Sequence, residues 1–131
     1  MDFLRTKKKI FSAILPGLFI GYNIVRRLGM MIGIKPGKIE AYKELHRNVW
    51  PEILENLTDL NCRNYSIFLK NSVLFGYMEY HGDDYDRDMK LMAENKKVQE
   101  WWALCEPCQE PLKNRKVGEW WSLMEEVFHH D

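Results

Sequence analysis

The chain has 131 residues, a length that fits one compact domain, and 46% of them are hydrophobic, which is enough to form a core. Its 19 basic and 19 acidic residues give a formal net charge of zero. We therefore expect no nucleic-acid partner, because proteins that bind phosphate backbones usually carry a basic excess. The charge is uneven along the chain, since residues 1–29 are basic and the remainder is acidic.

Residues 1–25 differ in composition from the rest, with a basic start followed by an apolar stretch. This outline resembles a signal peptide, but no small-residue cleavage site follows it. The apolar stretch is also shorter than the ~20 residues that span a bilayer. We interpret residues 1–25 as an extension, with membrane contact and export as less favoured alternatives, and place the functional domain in residues 26–131.

Three cysteines, Cys62, Cys105 and Cys108, are an odd number and do not suggest a secreted disulfide scaffold. Cys105 and Cys108 have the CxxC spacing, but one such pair supplies only half of a four-ligand zinc site. We therefore predict structural thiols, no metal site and a cytoplasmic location.

The first predicted element is a strand over residues 28–34, which ends at a proline–glycine turn. A helix should follow, because apolar residues recur at spacings of three and four between residues 39 and 57. Pro51 lacks a backbone donor and crowds the turn before it. The helix should therefore break or kink near Arg47 to Trp50 and restart with Pro51 in its first turn.

Residues 62–70 alternate in character and predict a strand, with Tyr65 on one face and Phe68 on the other. An Asn-Ser turn should join this strand to a second one over residues 73–81. The two segments together predict a β-hairpin.

Residues 83–107 have helical composition and end at Pro107. Residues 119–130 could form a strand or a short helix, and the order of the elements favours the strand. Strand, helix, strand, strand, helix, strand is the split βαβ arrangement, so the predicted fold is a ferredoxin-like α+β domain.

His46 lies on the apolar stripe of the first helix, where a single histidine is by default a core residue. Tyr42 lies one turn earlier on the same face, so a hydroxyl and an imidazole project together. Pro51 disrupts the helix nearby and leaves backbone groups unpaired. These features favour a ligand site around His46.

Two tryptophan pairs, Trp101-Trp102 and Trp120-Trp121, lie late in the chain. Neighbours on a helix differ by about 100°, so one member of each pair should be half exposed or cover a ligand. Aromatic faces beside a few polar groups suit a sugar, whose C–H faces are apolar.

The strings YKELHRNVWPEI, NYSIFL and QEWWALCEP, in this order, resemble the L-rhamnose mutarotase family. The resemblance covers the chain from about residue 28 to its end. It implies a ferredoxin-like domain that pairs into a dimeric α/β barrel. It also implies a homodimer that interconverts the α and β anomers of L-rhamnose without a cofactor.

The same resemblance assigns the site residues. His46 would be the acid catalyst, and Tyr42, Tyr65, Trp101 and Trp102 would contact the sugar. Opening and closing a cyclic hemiacetal is general acid–base work, for which a histidine that titrates near neutral pH is suited.

Two other functions remain open from the residues alone. A cofactor-independent monooxygenase of the dimeric ferredoxin-like type shares the element order but lacks the Y-x-x-x-H-x-x-x-W-P-E string. A non-catalytic sugar-binding dimer would share the scaffold.

Phe68 stands where the family pattern suggests a tyrosine. Aromatic residues on both sheet faces predict sheet-on-sheet pairing, with Trp120 or Trp121 at the interface.

Overall fold

The computed structural model describes residues 24–131, so the predicted extension lies almost wholly outside the described residues. The strands are β1 (Arg26–Ile34), β2 (Cys62–Lys70), β3 (Val73–Tyr80), β4 (Gln109–Glu110) and β5 (Ser122–Met124). The helices are α1 (Ile39–Arg47), α2 (Pro51–Asp59), α3 (Tyr85–Glu94) and α4 (Lys96–Cys105). Among these helices, none combines the length and apolar content that a membrane crossing requires.

The strands form one antiparallel sheet in the order β2-β3-β1-β4. Strand β5 pairs with an earlier part of β1, on the same edge as β4. Strand β1 therefore lies between the hairpin partner β3 and the two short C-terminal strands. This is the strand order of the split βαβ arrangement, and it confirms the predicted ferredoxin-like α+β class.

The core lies between one face of the sheet and the helices. In β1 every second side chain is buried, which is the alternation expected when one face of a strand packs and the other does not. Helical side chains complete the same cluster; they include Tyr42, Ile53, Met92, Val98 and Trp101. The opposite sheet face carries Phe68 and Phe75, which are 63% and 38% exposed.

The predicted break in the first helical segment is confirmed. Helix α1 ends at Arg47 and α2 begins at Pro51, which occupies the first turn where its missing N–H costs nothing. Trp50 just before it has extended backbone, with ψ at 136°, as a residue preceding proline prefers.

The predicted continuous helix over residues 83–107 is wrong, because α3 and α4 are separate. Asn95 between them has extended backbone, with ψ at 123°, and its side-chain oxygen accepts a hydrogen bond from the Val98 amide at 3.1 Å. Asparagine is among the best residues for capping a helix N-terminus, so it starts a new helix here.

The C-terminal region is also less regular than predicted. Residues 119–130 contribute only the three-residue strand β5, and no sequence pattern indicated β4. In the hairpin, the register slips between Arg63 and Ser66. Asn64 in this irregular stretch has a φ of 49°, a conformation that asparagine tolerates better than most residues.

Candidate active site

His46 lies in the last turn of α1, and its ring is fixed by its own helix. Its Nδ1 lies 2.8 Å from the carbonyl oxygen of Tyr42, one turn earlier. A carbonyl can only accept, so Nδ1 carries the proton of this hydrogen bond. In residues 24–131 no hydrogen bond involves Nε2, which leaves that nitrogen available to a ligand.

Two aromatic rings hold the half-buried imidazole. The Tyr42 ring lies 4.2 Å from it, tilted by 30°, and the Trp101 ring meets it edge-on at 5.4 Å. Trp50, from the break between α1 and α2, meets the Trp101 ring edge-on at 5.3 Å. The imidazole therefore has little freedom to turn.

A cleft of about 120 Å³ opens beside this group, between α1 and the helix-covered face of the sheet. Helix α1 contributes three residues whose side chains can form hydrogen bonds: Tyr42, Lys43 and His46. The rest of the lining is aliphatic: Ile34, Ile39, Ile67, Leu69 and Leu74. A few polar groups on one wall facing an apolar wall is the usual composition of a small-molecule site.

Tyr42 is buried, and its hydroxyl is part of a chain of hydrogen bonds. Gln109 Nε2 donates to the Tyr42 hydroxyl at 3.3 Å, and Trp120 Nε1 donates to Gln109 Oε1 at 2.8 Å. Burial raises the pKa of Tyr42, so the hydroxyl keeps its proton over the ordinary pH range. Sequence reasoning missed Gln109, which carried no signal; the unexplained Trp120-Trp121 pair was the only hint of this network.

Tyr65 lies in β2, in the stretch where the register of the hairpin slips. Burial of its hydroxyl raises its pKa to about 12, although part of the side chain is exposed, and the neighbouring Cys62 and Cys105 thiols add to the shift. Among the described residues, Tyr65 makes no hydrogen bond or ring contact with Tyr42 or His46 and does not line the cleft. A sugar contact by Tyr65 therefore stays a prediction.

The Trp101-Trp102 pair divides as the helical rotation predicts. Trp101 is 6% exposed and contacts His46, whereas Trp102 is 36% exposed. Among the described residues, the ring contacts of His46 are to Tyr42 and Trp101, so the structure does not bring Trp102 to the imidazole. A sugar contact by Trp102 stays a prediction.

Cys105 lies one turn after Trp101 at the end of α4, and both CxxC cysteines are buried as free thiols. Burial raises the pKa of Cys105 to about 12, which keeps it protonated and unreactive. Within residues 24–131, no three His, Cys, Asp or Glu side chains are grouped as metal ligands would be. These thiols have the environment of structural residues.

Comparison with known proteins places this geometry in a family. The L-rhamnose mutarotase family model matches residues 27–130. The L-rhamnose mutarotase of Oceanobacillus iheyensis is 33% identical over 109 residues, which cover 82% of this chain and 100% of that protein. The Listeria monocytogenes L-rhamnose mutarotase is 36% identical over 86 residues, covering 63% of this chain and 79% of that one.

Solved structures agree with the sequence relatives. The crystal structure of an L-rhamnose mutarotase from Formosa agariphila superimposes with a TM-score of 0.63 at 27% identity, covering 81% of this chain and 99% of that one. A tetracenomycin F2 cyclase from Streptomyces glaucescens, at 14% identity and a TM-score of 0.56, shares the fold alone. With the family model spanning nearly all the described residues, the chain belongs to the L-rhamnose mutarotase family.

Proposed function

We propose that the protein is an isomerase that interconverts the α and β anomers of L-rhamnose, with His46 as the acid–base group. The observation that carries the proposal is the state of the His46 ring. One nitrogen is tied to the Tyr42 carbonyl at 2.8 Å, and the other has no partner in residues 24–131, although the side chain lines the cleft.

The fixed ring suits the reaction because a single atom can work in both directions. When the imidazole is charged, Nε2 carries a proton that it can give to the ring oxygen of the sugar. The C1–O5 bond then breaks, and the proton of the anomeric hydroxyl leaves to water, which gives the aldehyde. Rotation about C1–C2 followed by the reverse steps produces the other anomer and returns the proton to Nε2.

The surrounding residues are assigned to binding. Tyr42 and Tyr65 supply hydroxyls that burial keeps protonated, and these can donate to sugar oxygens. Trp101 lies beside the imidazole and can cover an apolar face of the sugar. Trp102, which is more exposed, would reach a sugar only at the outer rim of the site. We propose that no metal or cofactor takes part.

Saturation-transfer NMR on the anomeric protons of L-rhamnose tests the activity directly. Protein treated with a chelator should transfer saturation between the α and β signals faster than buffer does. An exchange rate equal to that of buffer, from protein whose fold is intact, would refute the proposal. The same experiment on a panel of other aldoses would show how narrowly the site selects its sugar.

We further propose that two copies pair through the open sheet face. Phe68 and Phe75 are directly opposite each other on that face, where they are 63% and 38% exposed, and Met31 lies next to them on β1. A water-facing sheet surface is not expected to hold such a cluster. Sedimentation at micromolar concentration should give one species near twice 15.7 kDa, and a monomer with full activity would refute the pairing.

The location proposed for this activity is the cytoplasm. Its support is the state of the cysteines, since Cys62, Cys105 and Cys108 are all buried as free thiols. Proteins of reducing compartments keep such thiols, whereas exported domains tend to pair them. Fractionation of the source cells with an antibody against the protein would test it, and recovery in the exported fraction would refute it.

A further inference from the structure

Three side chains from distant parts of the chain form a continuous series of hydrogen bonds. The Trp120 indole N–H meets Gln109 Oε1 at 2.8 Å, and Gln109 Nε2 meets the Tyr42 hydroxyl at 3.3 Å. Gln109 is fully buried, at the point where β4 pairs with Ile34 at the end of β1. A buried amide is tolerated only when both of its ends are satisfied, and this one is satisfied at both.

The chemistry of the first member sets the direction of the whole series. An indole nitrogen can only donate, so the amide atom that faces Trp120 must be the oxygen. The amide nitrogen then necessarily faces Tyr42, and it too can only donate. The Tyr42 hydroxyl is therefore the acceptor, and its own proton has to point elsewhere. In residues 24–131 this hydroxyl has no other hydrogen-bond partner.

The cleft beside His46 is where an uncommitted Tyr42 proton can meet a ligand. The Tyr42 ring is 4.2 Å from the His46 ring, and both residues line the cleft. Burial raises the pKa of Tyr42, so the proton is present whenever the site is ready to bind. Without Gln109 the hydroxyl could rotate and would have no fixed direction.

We infer that Gln109 and Trp120 are positioning residues that orient the Tyr42 hydroxyl as a donor towards the sugar. Neither residue needs to touch the substrate, since each acts through Tyr42. The inference rests on the proposed mutarotase function. It also gives a role to Trp120, to which the resemblance assigns none.

Two substitutions remove the series at different points. Trp120→Phe keeps an aromatic ring but deletes the N–H donor, and Gln109→Met keeps the length of the side chain but deletes the amide. Trp121→Phe is the matched control, because it is the same change at the next residue. Trp121 packs on the core side near Met30 and takes part in no hydrogen bond to Gln109.

The readout is a double-mutant cycle with Tyr42→Phe, measured as kcat and KM for anomer exchange. In the wild-type background, Trp120→Phe and Gln109→Met should each lower kcat about two- to tenfold, the scale of one hydrogen bond. In the Tyr42→Phe background the same changes should have no further effect on kcat. A merely structural role would lower kcat equally in both backgrounds.

The outcomes separate this inference from the function on which it rests. An inactive wild-type protein overturns both. An active wild-type protein in which Trp120→Phe and Gln109→Met leave kcat unchanged, or lower it alike in both backgrounds, overturns the inference alone. Trp120 is partly exposed, so Trp120→Phe is expected to fold. The cycle can be completed with either variant if the other one does not fold.

Discussion

Tyr42 and Tyr80 are both buried in the core between the helices and the sheet, yet their hydroxyl protons have opposite destinations. Tyr80 donates its proton to the carboxylate of Asp88 and accepts from the Asp84 amide at 3.2 Å. Tyr42 accepts from Gln109 and keeps its proton uncommitted in the described part of the chain. A tyrosine whose proton is already bound stabilises the fold, and one whose proton is free can serve a ligand.

The two surroundings differ in charge as well. Asp88 is 3% exposed and also accepts from Asn61 at 3.0 Å and from Arg87 at 3.3 Å. Burial alone would raise the pKa of Asp88, but these hydrogen bonds and the one from Tyr80 outweigh it and lower the pKa. Among residues 24–131, no carboxylate takes part in the hydrogen bonds that join Tyr42, Gln109 and Trp120. The comparison predicts that changes around Tyr42 affect activity and changes around Tyr80 affect stability.

The largest expected effect is that of His46→Ala. A positioned acid–base group typically contributes ~10²–10⁴ in rate, so anomer exchange should fall by that order. The thermal midpoint should change little, because His46 is only half buried. Exchange NMR and thermal unfolding on the same samples check both parts. A variant that unfolds, yet exchanges normally per folded molecule, would return His46 to the role of a core residue.

Asp88→Ala should show the reverse pattern. Its loss leaves the buried Tyr80 hydroxyl and the partly buried Asn61 amide without this acceptor, which costs on the order of 3 kcal/mol of unfolding free energy. The rate per folded molecule should stay near that of wild type. Urea unfolding provides the measurement, with the exposed Asp86→Ala on the same helix as control. Equal losses in the two variants would show that the network does not stabilise the fold.

The unfolding free energy should decline in acid because of the Asp88 carboxyl. Its pKa is lower in the folded protein than in the unfolded chain, so its stabilisation is complete above the unfolded value of ~3.9 and is lost as pH falls through the folded value. Asp88→Asn should flatten the decline in unfolding free energy below about pH 4. Part of the decline should remain in Asp88→Asn because of Glu79. Hydrogen bonds from His81, Asn64 and Tyr77 lower the pKa of Glu79 to about 2. A decline that is the same in Asp88→Asn as in the wild type would show that Asp88 does not cause it.

The paired changes Tyr42→Phe and Tyr80→Phe sharpen the comparison at the level of one oxygen atom. Tyr42→Phe should slow exchange about two- to tenfold, which corresponds to a single hydrogen bond of ~0.5–1.5 kcal/mol. Tyr80→Phe should leave the rate unchanged and lower the unfolding free energy by ~1–3 kcal/mol, since Asp88 loses a donor. Kinetics and urea unfolding on both variants give the answer, and similar profiles for the two would erase the distinction.

Removal of residues 1–25 should have the smallest effect. This segment precedes the domain that matches the family and carries no group that the proposed chemistry needs. A chain that begins at Arg26 should keep its kcat and KM. Loss of activity in truncated protein that remains folded and unaggregated would assign these residues a part in function.

The sequence predicted those features whose causes are local. Pro51 sets the break between α1 and α2 through its own backbone, and the 100° step between neighbours separates Trp101 from Trp102. The break at Asn95 is also local, but its neighbours are all compatible with a continuous helix. Only the capping preference of asparagine indicated the start of α4.

The features that the sequence did not predict depend on contacts between distant residues. Strand β4 is two residues long and exists because it pairs with the end of β1. Gln109 reaches Tyr42 across 67 positions of sequence, and Trp120 approaches it from a third segment. No periodicity or motif marks such a meeting, so the orientation of the Tyr42 hydroxyl could be found only in the folded chain.

The most direct test of the central claim is the ¹⁵N NMR spectrum of the His46 ring, assigned by comparison with His46→Gln. The account predicts a ring that carries a proton on Nδ1, because that nitrogen donates to the Tyr42 carbonyl. Addition of L-rhamnose should shift the Nε2 resonance and leave Nδ1 nearly unchanged. A ring whose Nδ1 carries no proton, or an Nε2 signal that does not respond to the sugar, would contradict the assignment of Nε2 as the working group.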